Sequence, residues 1–367
     1  MYDALIVGAG PAGATIAALL AREERSVLLV ERQALPRKRT QTVWVSAEAA
    51  ALLDTAGLDA KAMLGQPFDD VTFYSADLGK TAKPALGGPA GYLVNRSAFE
   101  HELVKAAVKA GAELRENSRV VDIGLFEHEV EARFGEGESA RGRVLLAAMG
   151  YRNDLAGPLY RAGQPPAPLV WTAQVEAALK KSGQAKPAVA VVLGLDRNGA
   201  FGLVMVTPKR LAVAIGAGGG PQQVTKLFTE LCQRLAAGGV VPVDLSSEAA
   251  EAKVRPSPAG IALEMDTHVA KHTLIIGEAG GFVAAASNEG IYPAMWSAQL
   301  ASEVVLEALG SKHSQDVLMQ FDSKWRMSMA EYLRPPNTDI QFLLPLIFSN
   351  QPMADRMGAA FFCGRNI

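Results

Sequence analysis

Three glycines spaced Gly8-x-Gly10-x-x-Gly13, followed by an acid at Glu31, are the residues whose types and spacing most directly imply chemistry. Gly8 permits a tight turn, Gly10 lets the backbone approach a bulky anion, and Gly13 lets the following helix pack close to its strand. The first turn of such a helix has free N–H groups and a positive dipole end, which together suit a pyrophosphate. Glu31 closes an apolar run, where a carboxylate accepts both hydroxyl hydrogens of an adenosine ribose and repels a 2′-phosphate. The positioning elements are in register. Residues 4–7 read as a buried parallel strand, an amphipathic helix follows, and residues 26–30 supply a second strand. A glycine turn in an ordinary βαβ unit is the bland alternative; strand, helix, strand and acid together favour a bound dinucleotide.

A second apparatus of this kind lies late in the chain. Residues 273–276 form an apolar strand that runs into Glu278, then small residues, then a helix expected to start near Glu289 and to pass Val305. Pro293 fits only near the first turn, which restrains that start. A strand, an acid and a glycine-rich helix opening make a second anion-binding segment.

The bulk composition excludes several classes. A chain of 367 residues with 49% hydrophobic content and a formal charge of −2 has a sizeable core and no basic block for nucleic acid. No apolar run approaches the roughly 18 residues of a membrane-spanning helix. The first strand begins almost at the N-terminus, so no secretory leader is expected and a cytoplasmic location is. Cys232 and Cys363 stand far apart, which indicates neither a disulfide framework nor a zinc site; Cys232 reads as a core helix residue.

Between these landmarks, Ser46 is expected to cap a helix through about Leu53 that Gly57 ends. The basic run Arg37, Lys38, Arg39 reads as a solvated loop, with contact to the cofactor or its phosphates as the second reading. Residues 68–74 and 92–94 read as strands. Ser97 to Glu100 has the form of a capping box, opening a helix that stops at Gly111. Residues 119–123 and 129–134 suggest a hairpin, with 144–148 returning as a buried strand. Residues 168–220 hold short apolar strands of an antiparallel sheet, and a helix follows over 221–236.

Two nucleotide-contacting segments bracketing antiparallel strands resemble the FAD-containing monooxygenase and reductase superfamily with the p-hydroxybenzoate hydroxylase fold. Within it, the chain is most similar to the geranylgeranyl-reductase-like branch, which neighbours the flavin-dependent halogenases. The resemblance implies an α/β fold: a Rossmann-like FAD-binding domain of residues 1–67, 95–165 and 255–310. It further implies an inserted α+β substrate domain of residues 68–94 and 168–254, and a helical C-terminal segment of residues 311–367. The cofactor set it implies is Gly8, Gly10, Pro11, Ala12, Gly13, Glu31, Arg32, Arg39, Arg96, Val121, Gly277, Glu278, Gly290 and Ile291. NAD(P)H stands as one candidate electron donor. The chain departs from the family in four places. Glu278 replaces an Asp, and Ala148-Met149-Gly150 lacks the carboxylate of the family's Ala-Asp-Gly. Residues 203–208 keep only Pro208 of an aromatic signature, and no cysteine follows Pro36-Arg37.

A flavin supplies the redox chemistry, so the protein has to place a substrate against it and manage water. Trp44, Tyr92, Met205, Glu289 and Trp296 are the candidate pocket residues, with core packing ahead for Trp296. His101, His128, His268, His272 and His313 read as surface or satisfied side chains. The apolar tail, residues 339–362, reads first as core packing; a lid, an oligomer face and a peripheral membrane contact are its alternatives. The first functional reading is FAD-dependent hydride transfer to an apolar substrate. The second is a monooxygenase of an aromatic or peptidyl substrate, and the third a flavin-binding electron-transfer partner. Oligomeric state is not legible.

Overall fold

The computed structural model describes residues 1–38, 41–65, 67–135, 137–151, 155, 159, 170–179, 186–335 and 338–365. The central strand Tyr2–Val7 lies parallel to Val27–Val30 on one side and to Ser139–Ala147 on the other, so that Leu5 faces both Leu28 and Leu145. Ser139–Ala147 is in turn parallel to Thr273–Ile275, which brings the late segment beside the first strand's neighbour. Alternation along these strands feeds two cores. Ala4 and Ile6 pack with the helices Pro11–Arg22, Arg96–Ala110 and Ile291–Gly310, whereas Leu5 and Val7 pack with the hairpin Val120–Leu125 and Val130–Phe134. Burial on both faces explains why Val27–Val30 is apolar throughout.

A second sheet of seven strands runs in the order Arg255–Ser257, Val170–Ala178, Arg210–Ala217, Phe201–Val206, Ala188–Leu193, Asp70–Ser75, Thr81–Ala82. Its pairings are antiparallel except between Ala188–Leu193 and Asp70–Ser75. The helix Pro221–Ala237 covers one face through Val224, Phe228, Leu231 and Leu235. The other face meets the C-terminal helices Ile340–Ile347 and Gln351–Cys363, whose Leu343, Ile347, Phe361 and Phe362 are buried with Trp44. That face of the tail therefore packs as core, while Phe342 and Leu346 stay exposed. No helix among the described residues is long and apolar enough to cross a membrane.

A third, small sheet joins Thr42–Ser46, Gly91–Asn95 and Pro67–Phe68. It corrects the single strand expected over 68–74: Phe68 pairs with Gly91, and Asp70–Ser75 leaves for the second sheet. A second correction concerns the helix Arg96–Ala110. Its cap is Asn95, whose side chain accepts from the Ala98 N–H at 3.0 Å, and not the Ser97 to Glu100 box. Ser97 Oγ instead donates to the Arg37 carbonyl at 2.5 Å, and Glu100 faces two arginines. The helix ends as expected at Gly111, in the left-handed region at φ 114°. Ser46 likewise caps Ala47–Thr55.

Candidate functional site

The glycine turn after Tyr2–Val7 divides its labour as the spacing implies. Gly8 has φ +104°, and a Cβ there would lie 2.4 Å from the Ala148 carbonyl oxygen; a Cβ on Gly13 would lie 1.9 Å from the Gly8 carbonyl oxygen. Both positions are closed by backbone. A Cβ on Gly10 would meet nothing within 4 Å, so the turn is open there. Pro11 opens the helix, and no side chain caps it, which leaves its N–H groups directed at that open space.

Glu31 follows Val27–Val30 and is buried. Its carboxylate accepts from the Ala9 N–H at 3.1 Å and the Gln33 N–H at 3.0 Å, and pairs with Arg37 at 2.6 Å. Arg37 also binds Glu100, so its guanidinium is 11% exposed and held between two carboxylates. This corrects the solvated reading for Arg37, while Lys38 is exposed as expected and Arg39 lies outside the described residues. Arg32 is exposed beside Glu31. Val121 lies on the hairpin, its side chain half-exposed and turned away from the core that Val120 fills.

Arg96 binds Glu100 at 2.9 Å and stands 3.6 Å from Glu278. Burial opposes its charge, but Glu100 and Glu278 outweigh that and raise its pKa. The second segment meets the first directly. Gly277, at φ +62°, would place a Cβ 2.8 Å from that of Ala12, and its N–H is held by Ser297 Oγ at 3.0 Å. Gly150 sits between, with Glu278 Oε2 3.8 Å from where its Cβ would be. The helix itself runs Ile291–Gly310 with Gly290 as its cap residue, two residues later than the expected start at Glu289. His268 clamps this segment: it is fully buried, with Nε2 2.7 Å from the Gly280 carbonyl oxygen and Nδ1 3.4 Å from Asp322.

A cavity of about 670 Å³ opens between the two glycine segments and the second sheet. Trp44, Met205, Glu289, Gly290 and Ile291 line it, together with Arg96 and Glu278. Tyr92 and Trp296 do not. Tyr92 packs on the first core, and Trp296 stacks on Tyr292 at 5.3 Å over a separate surface depression that Glu48 also lines. Sequence reasoning missed the cavity's polar side, formed by Gln41, Gln174, Glu176 and Arg210, with Lys253 and Arg255 exposed at its mouth. A period-two signal existed: Thr172, Gln174 and Glu176 alternate along one face of Val170–Ala178.

Glu289 is 2% exposed and lies just before the helix Ile291–Gly310. Burial raises its carboxyl to about 7, against hydrogen bonds from Tyr332, Tyr292 and Ser46 that hold it down. Among the described residues no group of three His, Cys, Asp or Glu side chains could hold a metal.

Comparison with known proteins agrees with this geometry. Residues 1–148 match the FAD binding domain family. The digeranylgeranylglycerophospholipid reductase of Methanocaldococcus jannaschii is 22% identical over 348 residues, covering 91% of this chain and 84% of that protein. A geranylgeranyl bacteriochlorophyll reductase-like protein of Thermoplasma acidophilum shares the fold at TM-score 0.68 and 17% identity, over 89% of this chain and 83% of that one. So does 2-methyl-3-hydroxypyridine-5-carboxylic acid oxygenase, at TM-score 0.68 and 17% identity over 99% and 97% of the two chains. The chain is an FAD-dependent oxidoreductase with the p-hydroxybenzoate hydroxylase fold. Its cofactor is FAD.

Proposed function

We propose that the protein reduces a carbon–carbon double bond in an apolar substrate, with FAD held between the two glycine segments. The observation that carries this reading is the apolar group Val43, Trp44, Phe201, Leu203 and Met205 lining the same cavity as Arg96, Glu278 and Gly290. In this placement the open turn at Gly10 and the uncapped helix take the pyrophosphate, and Glu31 takes the ribose. Glu31 uses three acceptor positions on its neighbours and retains capacity for a hydroxyl, since a carboxylate offers about four. Arg96 and Glu278 border the ring end of the site. Bound there, reduced FAD supplies a hydride equivalent; the chain's task is to orient the substrate, keep water out and deliver a proton. Similarity to reductases that act on geranylgeranyl groups supports the apolar substrate.

The test is anaerobic. Dithionite-reduced enzyme mixed with geranylgeraniol in detergent is expected to regain its oxidised flavin absorbance, and the alcohol to gain two hydrogens for each double bond lost. A flavin that stays reduced under argon, with labelled oxygen entering a substrate only in air, would instead select the monooxygenase reading that the oxygenase's fold keeps in view. A flavin unreactive in both arms selects an electron-transfer partner.

A further inference from the structure

Two hollows flank the same small group of buried side chains. Glu289 lines the cavity, while Glu48 and Tyr292 line the outer surface depression. Between them, Tyr332 Oη donates to Glu289 Oε2, the Tyr292 N–H reaches Glu289 Oε1 at 3.4 Å, and the Ser46 N–H also binds this carboxyl. Ser46 is the cap of the helix Ala47–Thr55 that carries Glu48 in its first turn, so one short element ties the two acids together. Glu48 Oε2 is itself shut away from solvent.

From this arrangement we propose that Glu289 supplies the proton at the cavity wall and that Glu48, which lines the outer depression, is the route by which it is reloaded from solvent. The groups facing Glu289 come from four elements: Tyr292 on the helix Ile291–Gly310 that follows it, Tyr332 on Ser314–Leu333, Glu48 on Ala47–Thr55, and Cys363 on the last helix. Arg365 acts on Cys363, and among the described residues the groups acting on Glu289 itself include no cation. Burial and the Glu48 charge favour the neutral acid at Glu289, and burial with the two carboxylates drives Tyr332 up so that it stays a donor. An acid poised near neutrality can both release and recover a proton.

The balance of the reaction calls for such a group. When a double bond is reduced, one carbon receives the hydride with its electron pair, and the π electrons remain on the other. There the Glu289 O–H bond breaks and a C–H bond forms. The resulting carboxylate takes a proton from water through Glu48, and no further oxidant or reductant enters.

This inference rests on the flavin site proposed above, and its test needs no substrate, so its failure is distinct from failure of the reductase reading. Infrared difference spectra of the FAD-loaded protein are recorded on flavin reduction at pH 8. Reduction adds negative charge to the cavity, and a protonated-carboxyl band is expected to appear, to vanish in Glu289→Gln and to persist in Glu264→Gln, an acid outside both hollows. A titration of the same band in oxidised protein is expected to place its midpoint near neutrality, moved down in Glu48→Gln and up in Tyr332→Phe. No band in the wild type, a band that survives Glu289→Gln, or a midpoint unmoved by Glu48→Gln would each overturn the assignment.

Discussion

Arg96 Nη2 stands 3.6 Å from Glu278 Oε1, joining the arginine that opens the helix Arg96–Ala110 to the acid of the late glycine segment. The same guanidinium holds Glu100, which Arg37 also holds, and Arg37 in turn holds Glu31. Charge thus runs Glu31, Arg37, Glu100, Arg96, Glu278 along one side of the site, linking Glu31 to the cavity.

Arg96→Ala is expected to destabilise the fold by about 2 kcal/mol, because Glu100 is buried and would lose one of its arginines; buried pairs lose roughly 3–5 kcal/mol when one partner goes, and Arg37 softens this. A double-mutant cycle with Glu278→Gln is expected to give a coupling below about 1 kcal/mol, since that contact is long and partly exposed. Urea melts of the four proteins check both values.

The glycines separate fold from cofactor. Gly10→Glu enters open space, so the protein is expected to fold with Tm changed by a few degrees while purifying without flavin. Gly13→Ala drives a Cβ into the Gly8 carbonyl and is expected to lose soluble protein altogether. Thermal melts paired with flavin absorbance distinguish the two outcomes.

Asp322 gives a predicted acid limb. Burial opposes its ionisation, but hydrogen bonds from His268 and Thr267 outweigh this and hold the carboxyl at about 2. An unfolded Asp titrates near 3.9, so this stabilisation is complete above about pH 4 and is lost as pH falls through 2. Asp322→Asn is expected to remove roughly 1 kcal/mol of pH-dependent stability between pH 6 and pH 3, about half of the whole window, read from denaturation at those two values.

Glu289 gives a limb of the opposite sign. With its folded value at about 7 and the unfolded value near 4.3, the folded state holds the extra proton between them. Its contribution is therefore full below about pH 4 and is lost as pH rises to 7, on the order of 3 kcal/mol in all. Glu289→Gln is expected to flatten that decline. An unchanged slope in the variant between pH 5 and pH 7 would assign the decline to other groups.

The glycine fingerprint was legible because its requirements are local: a turn, an approach and a close packing, each tied to one position. The acid at Glu31 and the burial of the apolar run 4–7 were readable for the same reason, whereas the split of Ala4 and Ile6 from Leu5 and Val7 into two cores was not. What escaped was long-range. Arg37 looked like surface because nothing near it in sequence shows that Glu100 will fold against it. Ser97 and Glu100 carry a capping pattern, but tertiary partners outbid it and left the cap to Asn95. The Glu289 pairing with Tyr332 crosses to a different helix, and Trp44 meets Phe361 and Phe362 only because the tail returns.

The most direct measurement of the central claim is a flavin titration of purified, stripped protein followed by absorbance and fluorescence. Binding of one FAD per chain is expected, abolished in Gly10→Glu and weakened in Glu31→Ala. Protein that stays colourless in excess FAD, or a Gly10→Glu variant that binds FAD as well as the wild type, would contradict the placement of the cofactor between the two glycine segments.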